Sequence, residues 1–499
     1  MPSVKIAVIG IWSESSPPVV AGMLKNWLEK YSSVKDRIDV KMISSFRANS
    51  SEGIPEQLVD LKPFLVVFIN QEDWKDSGLM RDIKGILPEV LTAVASYSVD
   101  RISGDEAARA GIDFLIRGDI YTGIEKVVSK FLPGGNAALV GRPDIVYSSP
   151  RENCFPEQYV SGNFDLGFNT SAEIIASQGC SKSCGYCAIS EIRPFYFPPE
   201  ILKREIDYLI RHSPKLQNIR VFIADMFADR KYALELLPIL KKFAERYKIM
   251  FSFPADVESL TDTELLKICN TEYFKIDVGV QSFNEKALDA CGRPHDIKKL
   301  DENLKRIKAM CPLARVCLLM IKGLPADSEA LFFKSLDKAV SYGLGIMIYN
   351  LRIVPGTRFD TYWRQNGLDK EENFPYYAVD NDVLSRSDFT SITEMTRKIF
   401  FAMSILSASF VYKKYFFDTV KLLRKRNPHL YLARLFAEVW LRYPHIRKLY
   451  ANYRKNMEGD GEISYYLENI GAKDFAVFSG GFLKLQAFLD RALRPGENI

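Results

Sequence analysis

Twice along this chain, short apolar runs alternate with helical patterns, and that alternation leaves few architectures open. The run 64–69, Phe-Leu-Val-Val-Phe-Ile, carries no polar residue. It reads as a strand covered on both faces, as strands of a parallel sheet are. Further strands are read at 4–10, 38–43, 90–96 and 114–116, and helices at 19–31, after Pro17-Pro18, and at 120–131. This pattern implies an open, doubly wound sheet whose ligands lie at the carboxyl ends of its strands.

A stretch rich in Pro, Gly, Asn and Ser, 134–172, reads as a bridging segment. In the second series, strands are read at 173–177, 219–224, 249–254, 274–279, 315–321 and 346–351. Helices are read between them at 198–212, 231–247, 262–269, 298–310 and 328–342. Six such units suggest a partial barrel, again with its chemistry at the carboxyl ends of the strands. Beyond about residue 380 the pattern is helical and aromatic. The expectation is an α/β chain in four parts: a Rossmann-like domain (1–133), the bridge (134–172), a partial (β/α)6 barrel (173–375) and a helical C-terminal domain (376–499).

Hydrophobic residues make up 47% and charged residues 26%, which excludes a disordered or collagenous chain. The longest mostly apolar stretch, 399–412, contains three serines and is too short to span a bilayer. The first ten residues lack the order of a signal peptide, so a cytoplasmic location is expected. Net charge is +5, unevenly spread: residues 397–455 carry +12, which leaves −7 for the rest.

Eight cysteines are present, three of them within eight residues. Cys180-Ser181-Lys182-Ser183-Cys184-Gly185-Tyr186-Cys187 has the spacing C-x3-C-x2-C and follows the first strand of the second series. A tight cysteine cluster in such a chain points to metal or redox chemistry rather than to disulfides. Three thiolates can hold three irons of a [4Fe–4S] cluster and leave the fourth iron open, which a catalytic site needs. A zinc knuckle would want a fourth ligand nearby, and the nearest histidine, His212, falls on a helix. Metal ligands are therefore assigned to Cys180, Cys184 and Cys187.

This loop, after strand one of a partial barrel, resembles that of the radical S-adenosylmethionine (SAM) enzymes. In that family SAM chelates the open iron, and its reductive cleavage gives methionine and a 5′-deoxyadenosyl radical. The resemblance extends to the later strand ends. Tyr186 stands where the family's backbone contacts the adenine. Asp225-Met226-Phe227 ends strand two, where Gly-Gly-Glu is frequent. Gly279-Val280-Gln281-Ser282-Phe283-Asn284 ends strand four, with Gln281 implied to face the ribose or carboxylate. Gly323-Leu324-Pro325-Ala326-Asp327-Ser328 ends strand five, with Asp327 in place of the usual Glu, and 351–357 ends strand six. The resemblance thus assigns Tyr186, Asp225, Gln281, Gly323, Pro325 and Asp327 to SAM; no catalytic side chain is assigned.

The first half resembles the branch of this family with a cobalamin-binding domain before the barrel, in 16–24, 111–119 and 155–162. It has no Asp-x-His-x-x-Gly motif, so no histidine is offered below the cobalt. Implied cobalamin contacts are Asn70, Gln71, Glu72, Asp73 and Trp74, then Ser96 and Tyr97, and Gly118, within the strand-end loops 11–16, 70–74, 96–102 and 117–122. The other reading of this domain is a degenerate one kept for structure or substrate.

Exclusions narrow the chemistry. A methylthiotransferase needs N-terminal cysteines for a second cluster, and residues 1–153 have none. Auxiliary clusters or a methyl-carrying cysteine would need cysteines in the C-terminal part, and residues 318–499 have none. The resemblance then implies a [4Fe–4S] cluster, SAM and cobalamin, used for methyl transfer to an unactivated carbon. Cyclisation, ring contraction or plain hydrogen abstraction remain alternatives, as does a non-enzymatic corrinoid or iron–sulfur sensor. An external electron donor such as a flavodoxin or ferredoxin is implied, and no nucleic acid. The basic, aromatic stretch 396–456 reads as a helical cap with solvated bases. Its other readings are contact with an anionic substrate, a peptide, or a membrane surface carrying a lipid substrate.

Overall fold

Both series fold as parallel sheets of six strands. The computed structural model describes residues 3–12, 17–46, 54–69, 79–95, 104–132, 144–148, 155–167, 169–190, 192–293, 295–372 and 376–407, with Arg447 and Ala451.

The first sheet contains β1 (Val4–Trp12), β2 (Ile38–Phe46), β3 (Leu65–Ile69), β4 (Leu91–Ala95), β5 (Phe114–Gly118) and β6 (Asp144–Ser148). Its order is β2-β1-β3-β4-β5-β6, all parallel. The connecting helices are α1 (Val19–Lys30), α2 (Ile54–Leu61), α3 (Leu79–Ile86), α4 (Gly104–Arg109) and α5 (Ile120–Phe131). Every residue of β3 and β4 is buried, as the apolar run requires. One face of the sheet (Ala7, Ile9, Val66, Phe68, Val94, Leu115) packs with Ile54, Leu58, Met80, Ile83 and Ala107 of α2, α3 and α4. The other (Val8, Leu65, Val67, Ala93, Phe114) packs with Leu24, Trp27, Ile124 and Val127 of α1 and α5. Each fully buried large side chain stabilises the fold by about 1.5–3 kcal/mol.

The stretch 134–172 is not all connection. β6 lies within it and completes the first sheet, pairing Phe114 with Asp144 and Gly118 with Ser148. Only five residues long and set in turn-rich sequence, it gives no periodic signal.

The second sheet runs β7 (Ser171–Ile175), β10 (Asn218–Phe222), β11 (Met250–Asp256), β12 (Phe274–Gln281), β13 (Arg315–Lys322) and β14 (Gly345–Asn350), neighbours in sequence order. An antiparallel hairpin, β8 (Ser177–Cys180) with β9 (Ile192–Tyr196), is inserted after β7. The helices are α6 (Pro199–His212), α7 (Arg230–Tyr247), α8 (Thr263–Cys269), α9 (Glu285–Ala290), α10 (Ile297–Met310), α11 (Glu329–Ser341), α12 (Arg358–Gln365) and α13 (Arg386–Ser407). Short polar side chains cap most of them: Asp229, Asp262, Asn284, Asp296, Ser328 and Thr357 each accept a hydrogen bond from the first turn that follows. None of the described helices is long and apolar enough to cross a membrane.

The segment between the sheets is fastened on both sides. Toward the barrel, the buried Glu205 carboxylate accepts the backbone N–H groups of Gln158 (3.1 Å), Tyr159 (2.7 Å) and Val160 (3.0 Å). Gln158 also pairs both ways with the Ile175 backbone, at 2.8 and 2.9 Å. Toward the first sheet, Asn26 of α1 donates to the Glu157 carbonyl (2.6 Å) and Ser161 Oγ (2.7 Å), and Asn163 donates to Asn26 Oδ1 (2.9 Å). Gly22 admits the Phe164 ring, which a Cβ there would meet at 2.6 Å.

Candidate functional site

The three clustered cysteines lie on the loop that leaves β8. Cys180 and Cys187 are half-buried and Cys184 is buried. Cys180 Sγ accepts the Lys182 N–H at 3.4 Å, and Cys187 N donates to the Cys184 carbonyl at 3.1 Å. Burial pushes the Cys180 thiol above its ordinary range, and the Lys182 N–H works against that shift. The loop is bound to two later segments: Gly185 N donates to the Cys291 carbonyl (2.8 Å), Phe359 N donates to the Gly185 carbonyl (3.0 Å), and Arg358 donates to the Ser183 carbonyl. Gly185 must be glycine, since a Cβ would lie 2.6 Å from the Phe359 ring.

The donor set fits a multi-iron cluster better than a single ion. Sulfur ligands of one tetrahedral zinc sit about 3.8 Å apart. Among the described residues, the group of ligating atoms gathered within 4.8 Å is Asp256, Glu258 and His295, not the three thiols. Cys291 backs the loop but is fully buried in the apolar core, and burial pushes its thiol up. Cys269, Cys311 and Cys317 are likewise buried and raised.

The strand-end residues fall into two groups. Asp225, after β10, uses Oδ1 to accept from Phe227 N (3.0 Å), Asp256 N (3.1 Å) and Ser259 Oγ (3.0 Å). Burial raises its pKa against those hydrogen bonds. It therefore ties the end of β10 to the end of β11. Gln281 closes β12 at a register shift against β13, with φ 64°, and is buried. Its amide lies over Gly279, where a Cβ would meet Nε2 at 2.9 Å. Tyr186 is half-buried, and its ring meets Phe359 edge-on at 6.1 Å.

The second group lies beyond β13. Gly323 (φ 92°) passes beneath the Phe389 ring, which a Cβ would meet at 2.5 Å. Pro325 is buried. Asp327 is 1% exposed; its Oδ1 accepts from Asn284 Nδ2 at 3.1 Å, while Oδ2 has no hydrogen-bond partner. Burial pushes its pKa up to about 7, countered only by that one bond. Asn284 also donates to the Ala326 carbonyl (3.0 Å), so it binds the ends of β12 and β13 together.

Sequence reasoning missed the residue that joins the cysteines to the strand ends. Arg293, in the turn after α9, is 9% exposed. Its Nη1 lies 3.8 Å from Cys184 Sγ and donates to Tyr186 Oη (3.3 Å); its Nη2 donates to the Gly279 carbonyl (3.2 Å) and to Asp256. A lone arginine in a loop carries no periodic signal; only the glycine before it, Gly292 with φ 70°, marks a shaped turn. His295 Nδ1 sits 2.7 Å from Glu258 Oε1, although neither ring nitrogen makes a hydrogen bond of ordinary geometry.

At the first sheet, Gly118 takes φ 92°, and Asp119 caps α5 by accepting from Thr122 N at 2.8 Å. Gly10, at the same end of β1, leaves room for α1: a Cβ there would lie 2.7 Å from Ala21 and Pro18. Gly118 stands at the strand end where such a sheet places its ligands, whereas Gly10 serves the close packing of β1 against α1. Asn70, Gln71, Glu72, Asp73, Trp74, Ser96 and Tyr97 lie outside the described residues, as do residues 13–16 and nearly all of the basic stretch 408–456.

Residues 174–337 match the model of the Radical SAM superfamily. Among curated relatives, the ribosomal protein uS12 methylthiotransferase RimO of Caldicellulosiruptor saccharolyticus is 26% identical over 228 residues, 41% of this chain and 47% of that one. A tRNA-2-methylthio-N(6)-dimethylallyladenosine synthase of Clostridium botulinum is 24% identical over 298 residues, 57% of this chain and 64% of that one. The chain thus spans about half the length of the curated relatives it matches. Among solved structures, the radical SAM methyltransferase TsrM of Kitasatospora setae, with tryptophan and a SAM analogue bound, gives a TM-score of 0.59 at 11% identity, over 78% of this chain and 82% of that one. The cobalamin-dependent SAM radical enzyme OxsB, with aqua-cobalamin and SAM bound, gives 0.58 at 11% identity, over 98% of this chain and 80% of that one. At such identities these likenesses show a shared fold. Residues 174–337, which hold all three cysteines of the loop, form a radical SAM domain.

Proposed function

We propose that the chain is a cobalamin-dependent radical SAM enzyme that transfers a methyl group to an unactivated carbon. The observation that carries this reading is the three-thiol loop at the carboxyl ends of the second sheet, with a six-stranded parallel α/β domain fastened in front of it. A fold shared with TsrM and OxsB over most of the chain supports the pairing of the two domains. When bound, the cluster with SAM supplies one-electron radical generation, and cobalamin supplies a transferable methyl group.

The chain's own residues hold and orient. Cys180, Cys184 and Cys187 ligate three irons. Tyr186, Asp225, Gln281, Gly323, Pro325 and Asp327 border SAM. Gly118 and the loops 70–74 and 96–97 border the corrinoid. An external low-potential donor, of flavodoxin or ferredoxin type, delivers electrons. The substrate is a small molecule, a peptide or a lipid, with a peripheral membrane contact through residues 396–456 in the last case; nucleic acid is not proposed.

The test is turnover with methyl-labelled SAM and extracts of candidate metabolites. Each labelled product should come with one 5′-deoxyadenosine and one S-adenosylhomocysteine. Deoxyadenosine without S-adenosylhomocysteine, with true substrate present, would favour cyclisation, ring contraction or plain hydrogen abstraction. Absence of both would leave the sensor reading. Methylthio transfer, the activity named for the curated relatives, is disfavoured by the lack of any cysteine in residues 1–153.

A further inference from the structure

Around the cysteine loop the chain places two cations and gives them one carboxylate to share. Lys182 lies inside the loop, between the first two cysteines, and its Nζ is 2.8 Å from Asp256 Oδ2. Arg293 donates to the same oxygen. Asp256 Oδ1 accepts from Glu258 N at 2.9 Å, so both oxygens are occupied. Asp256 is the last residue of β11 and is 5% exposed. Its carboxyl is held below the ordinary carboxylate range, with the Arg293 and Lys182 charges outweighing burial.

One cation stands close to sulfur: Arg293 Nη1 is 3.8 Å from Cys184 Sγ. Lys182 gives its backbone N–H to Cys180 Sγ at 3.4 Å, and its positive charge favours the Cys180 thiolate. Neither cation has an equal alternative to Asp256. Arg293 turns otherwise to a carbonyl and a phenol, and Lys182 reaches Glu258, itself half exposed, only at 3.5 Å. Occupancy by two side-chain cations also argues against a bare metal ion at Asp256, Glu258 and His295, since the ion would have to displace them.

We propose that Asp256 is a positioning residue that fixes the cysteine loop to the end of β11 and sets the charge felt by the cluster. The inference rests on the reading of that loop as a [4Fe–4S] site. Reduction adds negative charge to the cluster, so nearby cations favour the reduced form and nearby anions oppose it. Removing the Asp256 charge leaves Lys182 and Arg293 uncompensated beside the thiolates. Removing the Lys182 charge has the opposite sign.

The experiment is a charge cycle on the full-length, anaerobically reconstituted protein without SAM: parent, Asp256→Asn, Lys182→Met and the double variant. Iron content, electron paramagnetic resonance of the reduced cluster and its midpoint potential are measured for each. Asp256→Asn should make the midpoint less negative, Lys182→Met more negative, and the double variant should return toward the parent. Potentials that do not move, or that all move in one direction, would overturn the role of Asp256 while leaving the cluster assignment standing. A parent protein that binds no [4Fe–4S] cluster would overturn both. If Asp256→Asn does not fold, Lys182→Met on the half-exposed loop still decides the sign.

Discussion

The two six-stranded sheets use the same strand–helix unit to opposite ends. In the first, β3 and β4 are buried along their whole length, and apolar clusters cover both faces. In the second, the helix-facing residues Ile174, Ile219, Phe251, Ile276 and Val316 are buried, while the other face is mixed, with Ile175 and Cys317 buried among polar residues. The alternate residues form one cross-strand row, Glu173, Arg220, Ser252, Lys275 and Arg315, facing away from the helices. Two ion pairs lie on that face, Arg220 with Glu173 (3.7 Å) and Lys275 with Asp277 (3.2 Å). A sheet buried on both faces can hold a ligand only at its edge or strand ends. One that leaves a face polar can also enclose a chamber.

The largest effect should come from the mouth of the second sheet. Replacing Cys180, Cys184 and Cys187 together by Ala should abolish the iron–sulfur chromophore and all SAM cleavage while far-ultraviolet circular dichroism stays near the parent's. A [4Fe–4S] spectrum surviving in that variant would sink the assignment. Next, Phe68→Ala opens the two-sided core of the first sheet and should cost about 3–5 kcal/mol in urea unfolding, with iron binding retained in the folded protein. A loss under 1 kcal/mol would mean that this face is not close-packed.

Asp327 offers a pH test. Its folded pKa, about 7, stands above that of an unfolded aspartate, about 3.9. Its contribution to stability is therefore complete below about pH 4 and is lost as pH rises toward 7. Asp327→Asn should remove that loss, so the variant gains on the parent by up to a few kcal/mol at pH 8 and by little at pH 4. Paired denaturation curves at the two pH values check it; a gain independent of pH would refute the titration. The smallest effect belongs to the polar face of the second sheet. Lys275→Ala, at a half-exposed ion pair, should change stability by less than about 1 kcal/mol. A larger loss would mean that this face is a core after all.

The sequence was legible where one physical rule sufficed. Periodicity located the long strands, because the apolar face of β12 or β13 repeats without interruption. It missed β6 and the β8–β9 hairpin, which are short and lie among turn-forming residues or cysteines. Spacing singled out Cys180, Cys184 and Cys187 as candidate ligands, since three thiols within eight residues need no tertiary information. Arg293 and Asp256 were illegible because they are 37 residues apart and acquire meaning only when the ends of β11 and β12 meet. The positive φ of Gln281 was equally hidden, since glutamine gives no hint of a left-handed backbone.

The clasp made by Glu205 and Asn26 on the intervening segment bears on how the molecule comes apart. Two domains on a slack tether can melt separately, each with its own midpoint. Here the loss of either sheet strips partners from the segment that is bound to the other: three of its backbone N–H groups face one carboxylate on the barrel side, and its asparagine network ends on α1. Orphaned polar groups of that kind cost about 1–3 kcal/mol each. The two halves are therefore expected to share one unfolding transition, with damage to one felt as instability of both.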